Sequence, residues 1–176
     1  MEAYDLYLQA RAVMNDSSEV DLAAYERMLE LIDRATARDP NFAIAYCFAT
    51  EVNALLYRYR QHTPERLAKT QQAAATALKL APDLGESHLA QALYYYHCLR
   101  DFYGAERELE LARPTLGGRS DYLLVKEMTE RRFGRWQNAI NDGEKALSLS
   151  RAPGCRRCLS DCYSSATCSD GAASLS

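Results

Sequence analysis

Four cysteines near the C-terminal end of the chain have the number that a tetrahedral zinc site requires. They are Cys155, Cys158, Cys162 and Cys168, and the first two form a CxxC pair. Structural zinc sites commonly use two closely spaced ligand pairs, but the later spacings provide no second pair. The neighbouring serines and glycines offer little to support a metal. We therefore predict no metal site, and interpret these thiols as free reactive groups or as part of a non-native segment.

The other residue types that carry catalysis are not arranged for it. His62, His88 and His97 are scattered and form no HExxH pattern. The sequence contains no GxSxG element and no phosphate-binding glycine loop, since Gly117 and Gly118 are typical of a turn. We predict that the protein is not an enzyme and that it needs no cofactor.

Composition narrows the class of partner. The 176 residues carry a net charge of −3 and are 48% hydrophobic, which is enough for one domain with a real core. This charge provides no basic field for nucleic acid or anionic lipid. No apolar run reaches the roughly 18 residues that a membrane span needs, and residues 1–14 lack a signal-peptide pattern. We therefore expect a cytoplasmic protein that binds neither membranes nor nucleic acid.

Alanines and prolines recur at a near-constant interval. Ala35, Ala77, Ala112 and Ala146 each close a helical pattern and are separated by 42, 35 and 34 residues. Proline, which blocks continuation of a helix, follows or nearly follows the first three of them, at Pro40, Pro82 and Pro114. A period near 34 residues predicts stacked helical hairpins, since one hairpin can bury its apolar face only against its neighbours.

The apolar spacing between these stops is helical. In "HLAQALYYYHCL", for example, Leu89, Ala92, Leu93 and Tyr96 share one face. No convincing strand pattern occurs, so we predict an all-α protein. The expected helices cover residues 3–14, 19–38, 43–60, 65–80, 85–99, 102–112, 120–132 and 136–149. Ser18, Thr63 before Pro64, Asp83 and Ser120 are the expected helix caps.

These residues resemble tetratricopeptide repeats. The fourth unit is the clearest, with Gly134 at the turn, Trp136 after it, and Ala139 and Ala146 at small positions, although Lys126 and Glu127 replace the usual leucine and glycine. The other matching residues are Leu6, Ala10, Val13, Ile32, Ala35 and Pro40 in the first unit, Tyr46, Ala49, Thr50, Ala74, Ala77 and Pro82 in the second, and Leu89, Ala92, Leu93, Tyr96, Ala105, Leu109 and Ala112 in the third. The resemblance implies a right-handed α-solenoid of about four hairpins over residues 1–150.

A narrower resemblance concerns "AYDLYLQAR", "RDPNFAIAY", "TPERLAK" and "HLAQALYYYHCLRDF". These stretches are similar to the repeat segment that follows a cyclase, kinase or winged-helix domain in bacterial regulators. None of those domains is present, and the sequence enters its first helix almost at once. We interpret the chain as a piece of such a regulator or as a short relative of it.

The family resemblance also implies a binding surface. First helices of successive units line a concave groove that takes a peptide, and Arg or aromatic residues would provide contacts there. By position the groove residues are Tyr4, Tyr7, Arg11, Ile44, Cys47, Glu51, Ala90, Tyr94, His97, Leu124, Met128 and Arg131. The alternative is that many of the tyrosines only fill gaps between helices. The lysine and asparagine clamp that some relatives use for a C-terminal carboxylate has no counterpart here.

Two further functions remain open. The chain could be a regulatory or self-association segment in which the exposed flank of the last hairpin pairs with another copy. A helical repeat that reads RNA is the weaker alternative, based on the basic patch of Arg131, Arg132 and Arg135, because the net acidity and two long insertions oppose it.

Residues 151–176 form a segment of different composition. After Ser150 the helical periodicity is lost, and Ser, Cys, Gly, Ala and Arg dominate. We expect an irregular tail, either disordered or non-native, such as the product of a shifted reading frame. "LSDCYSSA" retains a weak first-helix pattern that favours the second explanation.

Overall fold

A computed structural model describes residues 2–16 and 22–150. These residues form eight α-helices in the order α1 (Glu2–Asp16), α2 (Leu22–Arg38), α3 (Ala43–Tyr59), α4 (Pro64–Leu80), α5 (Gly85–Leu93), α6 (Phe102–Leu116), α7 (Ser120–Arg132) and α8 (Trp136–Ser150). A π-helical turn, Tyr94–Leu99, continues α5. The described ranges contain no strand, and the all-α prediction is confirmed.

The helices pack as four successive hairpins. α1 packs on α2, α3 on α4, α5 on α6 and α7 on α8, and these are the most extensive contacts in the protein. Each new hairpin then packs its first helix against the preceding one: α3 on α2, α5 on α3 and α4, and α7 on α6. Contacts that join only neighbouring hairpins are those of an α-solenoid.

A buried alanine recurs in the second helix of every hairpin. The four periodic alanines, Ala35, Ala77, Ala112 and Ala146, are fully buried. Since alanine adds no side chain beyond Cβ, two helices can approach closely there, which explains why the repeat is most regular at these positions. The spacing therefore predicted the hairpin packing as well as the hairpin number.

The core is divided along the solenoid. One apolar cluster combines α1, α2, α3 and Ala73 of α4 around Met28, Ile32 and Leu56. A second combines α5, α6, α7 and α8 around Leu109 and Tyr122. Between them lies a small cluster of Cys47, Ala77 and Ala90, with Tyr46 packed against it. The second and third hairpins contact each other through both α3 and α4, which pack on α5 and its π-turn.

The clearest departure from the expected helices is the end of α5. We predicted one α-helix over 85–99, but the α-helical geometry ends at Leu93 and a π-turn follows. Arg100 then adopts a left-handed conformation with φ 56°, and the Asp101 N–H donates to the Tyr95 carbonyl at 3.1 Å. Wide turns of this kind redirect side chains at the end of a helix.

Pro114 does not end a helix, contrary to the prediction that α6 stops at residue 112. Helix α6 continues through it to Leu116. Pro114 lacks the N–H that would donate to the carbonyl four residues earlier, and the burial of Leu116 in the second core cluster offsets this loss. The break begins at Gly117, whose N–H donates to the Arg113 carbonyl.

The predicted caps had mixed outcomes. Thr63 caps α4 as expected, because its hydroxyl accepts a hydrogen bond from the Arg66 N–H at 3.2 Å and Pro64 begins the helix. Ser120 is instead the first residue of α7, with Arg119 before it. The expected cap Asp83 is also wrong, since Leu84 precedes α5 with extended backbone.

The start of α5 is set by packing rather than by a polar cap. Gly85 is buried, and a Cβ there would lie 2.0 Å from the Thr115 hydroxyl oxygen. This close approach of α5 to the end of α6 requires a glycine as the first helical residue. The expected cap at Ser18 and the irregular tail predicted for 151–176 lie outside the described residues.

Candidate functional site

Aromatic and charged side chains connect α1 with α3 on the first-helix surface. The Tyr7 ring lies 5.9 Å from that of Phe48, and the Arg11 guanidinium lies 5.3 Å from the same ring. Arg11 is also 4.0 Å from the Glu51 carboxylate. Tyr4 extends the group outward, with its ring 6.1 Å from Tyr7. Four of the predicted groove residues therefore lie together on these two helices.

The contact between α3 and α5 is closed by small buried groups. The Cys47 sulfur is 3.8 Å from the Ser87 hydroxyl, which donates to the Ala77 carbonyl at 3.2 Å. Ala90 packs in the same cluster. Four predicted groove residues are buried at these contacts and offer little surface to a ligand: Cys47, Ala90, Tyr94 and His97.

Of the other predicted groove residues, Tyr4 is exposed and the rest are half-buried. Ile44, Leu124 and Met128 are half-buried apolar side chains on α3 and α7. Arg131 forms an ion pair with Glu127 at 2.8 Å and so already has a partner within α7. The surface that these helices offer is therefore a mixture of apolar and charged side chains. Of its two arginines, Arg11 has the longer ion-pair distance, 4.0 Å to Glu51 against 2.8 Å from Arg131 to Glu127.

The third and fourth hairpins are joined through Tyr96. Its hydroxyl donates to the Met128 carbonyl at 3.4 Å and accepts from the Arg132 guanidinium at 3.0 Å. Arg132 also lies 5.6 Å from the Tyr96 ring and 5.3 Å from that of Phe102. Arg132 therefore contributes to the packing of these hairpins.

The basic patch beside the last turn is largely neutralised. Arg135 bonds to Glu106 and Glu130, and Arg131 pairs with Glu127. With Arg132 packed on aromatic rings, all three arginines have partners. This arrangement gives no support to the RNA-reading alternative, because phosphate binding requires available positive charge.

Polar residues in α7 are paired across its hairpin. Lys126, at a position where leucine is usual, donates to the Asp142 carboxylate on α8 at 2.6 Å. Burial raises the pKa of Glu127, although the charge of Arg131 partly opposes this effect. Tyr122, Leu123 and Val125 still bury their side chains. The departures from the repeat pattern are therefore accommodated by ion pairs.

His97 is the most unusual titratable group of the surface. It lies buried in the π-turn, and its Nδ1 has no hydrogen-bond partner. Burial lowers the pKa of His97 to about 4, with further lowering by the positive charges of Arg58 and Arg132. The ring is therefore neutral at pH 7 and serves packing against Tyr59 and Tyr96.

The two described cysteines are not nucleophiles. Burial raises the pKa of Cys47 to about 12 and that of Cys98 to about 11, while hydrogen bonds with Ser87 and Thr70 oppose the shift. A thiol with so high a pKa is almost entirely protonated at pH 7, and reaction requires the thiolate. Both cysteines are therefore packing residues.

Sequence reasoning missed a charged group beside the groove. Arg119 donates to Glu86 at 2.5 Å and to Asp121 at 2.6 Å, which links the N-terminal ends of α5 and α7. Burial raises the pKa of Tyr7, while the charges of Arg11 and Arg119 oppose the rise. Arg119 follows two glycines in a turn, so helical periodicity provided no signal for it.

An open depression lies elsewhere, between α2 and α4. Its volume is about 490 Å³, and the lining residues are Glu26, Leu29, Glu30, Asp33, Arg34, Ala37, Arg66 and Lys69. They belong to second helices and include none of the predicted groove residues. Arg66 is held there by hydrogen bonds to Asn53 and Gln61.

Among residues 2–16 and 22–150, no three His, Cys, Asp or Glu side chains lie close enough to hold a metal ion. The four C-terminal cysteines lie outside these ranges. Within the same ranges, no helix combines the length and apolar character that a membrane crossing requires.

Comparison with known proteins identifies the fold. No protein-family model matches the sequence, and no curated protein does. A solved structure that does match is a thermophilic TPR protein of Thermus thermophilus, with a TM-score of 0.67 and 22% sequence identity, over 87% of this chain and 76% of that one. At this identity the likeness concerns architecture alone. The chain therefore has the fold of a tetratricopeptide repeat protein, an α-solenoid of helical hairpins.

Proposed function

We propose that the protein is a non-enzymatic interaction module that binds a peptide segment of a protein partner on its first-helix surface. The observation that carries the proposal is the group of Tyr4, Tyr7 and Arg11 beside Phe48 and Glu51. Aromatic side chains supply contact area at low entropic cost, and arginine pairs with carboxylates.

The group is partly open to solvent. Tyr4 is 55% exposed, and the Arg11 and Glu51 side chains are 38% and 32% exposed. The 4.0 Å separation of Arg11 from Glu51 is at the limit of an ion pair. A carboxylate on an incoming peptide would bind Arg11 more closely than Glu51 does. The partner that fits best is an extended or helical peptide with an apolar or aromatic side chain next to an acidic one.

The absence of catalysis and cofactors is part of the same proposal. It is supported by the raised pKa values of both described thiols and by the lack of catalytic sequence patterns. We infer a cytoplasmic location and no membrane or nucleic-acid partner from the composition and charge of the chain.

A library of random 12-residue peptides, displayed and selected on the full chain, provides the ligand for a test. We expect selected peptides to carry an acidic residue next to an apolar one. Their dissociation constant, measured by fluorescence anisotropy, should rise about tenfold or more in Arg11→Ala, which corresponds to about 1.4 kcal/mol.

Arg107→Ala is the matched control, because Arg107 is an exposed arginine on the second helix α6. It should leave peptide affinity unchanged. Selection that yields no binder, or peptides that bind both variants equally, would remove the proposal.

A second candidate function is a regulatory or self-association segment of a bacterial signalling or transcription-regulatory protein. The sequence resemblance to regulator repeat segments supports the first part. Exposed apolar side chains on α8, including Trp136 and Ile140, support the second. A sedimentation series of the full chain tests it, since an interaction module alone should stay monomeric.

A further inference from the structure

An apolar stripe runs along α8 at the edge of the face that packs on α7. Trp136, Ile140, Gly143 and Leu147 follow each other at intervals of four, three and four residues, which places them on one face of the helix. Trp136 is 63% exposed and Ile140 is 53% exposed. Gly143 and Leu147 are half-buried, and a Cβ on Gly143 would lie 3.6 Å from the Glu127 side chain of α7. We call these four residues the α8 stripe.

In the other three hairpins, the residue equivalent to Trp136 is at least half-buried. Trp136 lies ten residues before the closing alanine Ala146, and the counterparts before the other closing alanines are Tyr25, Leu67 and Phe102. Tyr25 is buried, and the other two are half-buried. Phe102 is covered by Arg132 of the following hairpin, at 5.3 Å. The exposure of Trp136 is thus a property of the last described hairpin rather than of the repeat.

At the opposite end of the solenoid, the outward face of α1 is mainly polar. In α3, Ala45, Ala49 and Val52 are buried between hairpins. The corresponding outward positions of α1, forty residues earlier, are Asp5, Gln9 and Ala12, and all three are exposed. A face made of two polar side chains and one small alanine does not match an apolar stripe, so stacking of one copy's α8 on the next copy's α1 is disfavoured.

The α8 stripe is complementary to itself. If two α8 helices pack antiparallel across a two-fold axis between residues 141 and 142, Trp136 lies opposite Leu147 of the other copy. Ile140 then lies opposite Gly143, so that the branched side chain meets the residue without one. Polar Gln137, Asn141 and Glu144 lie beside the stripe on α8, all exposed. A two-fold contact requires such self-matching of one patch.

We propose that the α8 stripe is the contact of a two-fold dimer in which α8 packs antiparallel on α8 of a second copy. This proposal rests on the self-association candidate. Residues 151–176 are the other segment within reach, but their large apolar residues are only Leu159, Tyr163 and Leu175. Such a composition provides little apolar area to bury the stripe.

A charge-swap experiment on the full chain tests both the surface and the symmetry. Sedimentation velocity over about 1–500 µM, a range suited to a small interface, should show the parent associating. Ile140→Glu and Ile140→Lys should each weaken association at least tenfold, since the two copies of position 140 lie within one helical turn of each other across the axis and would bring like charges together. An equimolar mixture of the two variants should associate again, because the neighbouring charges at position 140 are then opposite. Asn138→Glu, an exposed substitution away from the stripe, is the control and should associate as the parent does.

Each other result overturns a definite part of the proposal. A parent that stays monomeric removes self-association altogether. If Ile140→Glu associates normally, the α8 stripe is not the contact. If both single variants are monomeric and their mixture is too, association through α8 stands but the two-fold pairing is wrong.

The sole tryptophan reports which occupant covers the stripe, since the chain contains only Trp136. Its emission should shift to shorter wavelength with rising protein concentration in the parent, and should not shift in Ile140→Glu. A blue-shifted emission at every concentration that is lost in a Leu159→Asp and Tyr163→Asp double variant would identify the C-terminal segment as the occupant and overturn the dimer.

Discussion

Replacing Leu56 by alanine should lower the free energy of unfolding by about 2–5 kcal/mol, as expected for a fully buried leucine. Leu56 has no solvent exposure and lies in the apolar cluster of the first two hairpins. Its removal leaves a cavity that neighbours in four packed helices can fill only in part. Urea unfolding of the full chain, followed by circular dichroism, gives the difference.

Leu111→Ala is the matched control, because Leu111 is 58% exposed on α6. Its cost should stay below about 1 kcal/mol. Equal destabilisation by the two variants would contradict the assignment of the core. Because contacts join only neighbouring hairpins, hydrogen exchange in Leu56→Ala should accelerate more in α1–α4 than in α7 and α8.

Protonation of His97 should destabilise the protein as the pH falls from 6.5 to 4. Burial lowers the pKa of His97 from 6.5 to about 4, so below pH 6.5 the unfolded chain binds a proton that the folded chain does not. The part of the unfolding free energy that depends on a neutral His97 is therefore fully present above pH 6.5 and is lost progressively toward pH 4. By linkage the loss at pH 4.5 is on the order of 2–3 kcal/mol.

His97→Phe removes this titration while keeping a buried ring. The unfolding free energy of the parent should fall between pH 7 and pH 4.5 by about 2–3 kcal/mol more than that of the variant. Carboxylates titrate in both proteins, so their effect cancels in this comparison. An identical pH dependence for parent and variant would show that the His97 environment is not as described.

The fold was largely predictable from the sequence because the repeat and the helix packing have the same cause. Ala35, Ala77, Ala112 and Ala146 are fully buried, and a larger side chain at these positions would have to displace its neighbours. Such a constraint leaves a periodic trace that survives the insertions in the first two units. The pair Thr63 and Pro64 also predicted the start of α4 correctly, because the cap and the proline act on the same helical turn.

The predictions failed where tertiary packing overrides a local signal. Pro114 continues α6 because the next turn buries Leu116. Asp83 is not the cap of α5 because the helix begins two residues later, at Gly85, which packs against Thr115. Nothing in "YYYHCL" distinguishes a π-turn from an α-helix, since the difference depends on how Arg100 and Asp101 end the helix.

The sequence assigned the candidate site to particular helix positions but could not give the accessibility of those positions. Helical register placed Cys47, Ala90, Tyr94 and His97 on the first-helix surface, but it could not show that they are buried between helices. Side chains from the next hairpin decide this, and a pattern within one helix does not contain them. The groove therefore stays a prediction, with its accessible part centred on Tyr4, Tyr7 and Arg11.

Photo-crosslinking tests most directly whether a partner peptide binds the first-helix surface. Benzoylphenylalanine would replace Tyr4 in one protein and Tyr103, an exposed tyrosine on α6, in the other; these side chains are 55% and 68% exposed. A selected peptide should crosslink to the protein labelled at position 4 and not to that labelled at 103. Crosslinking at position 103 alone, or equally at both positions, would contradict the proposed binding surface.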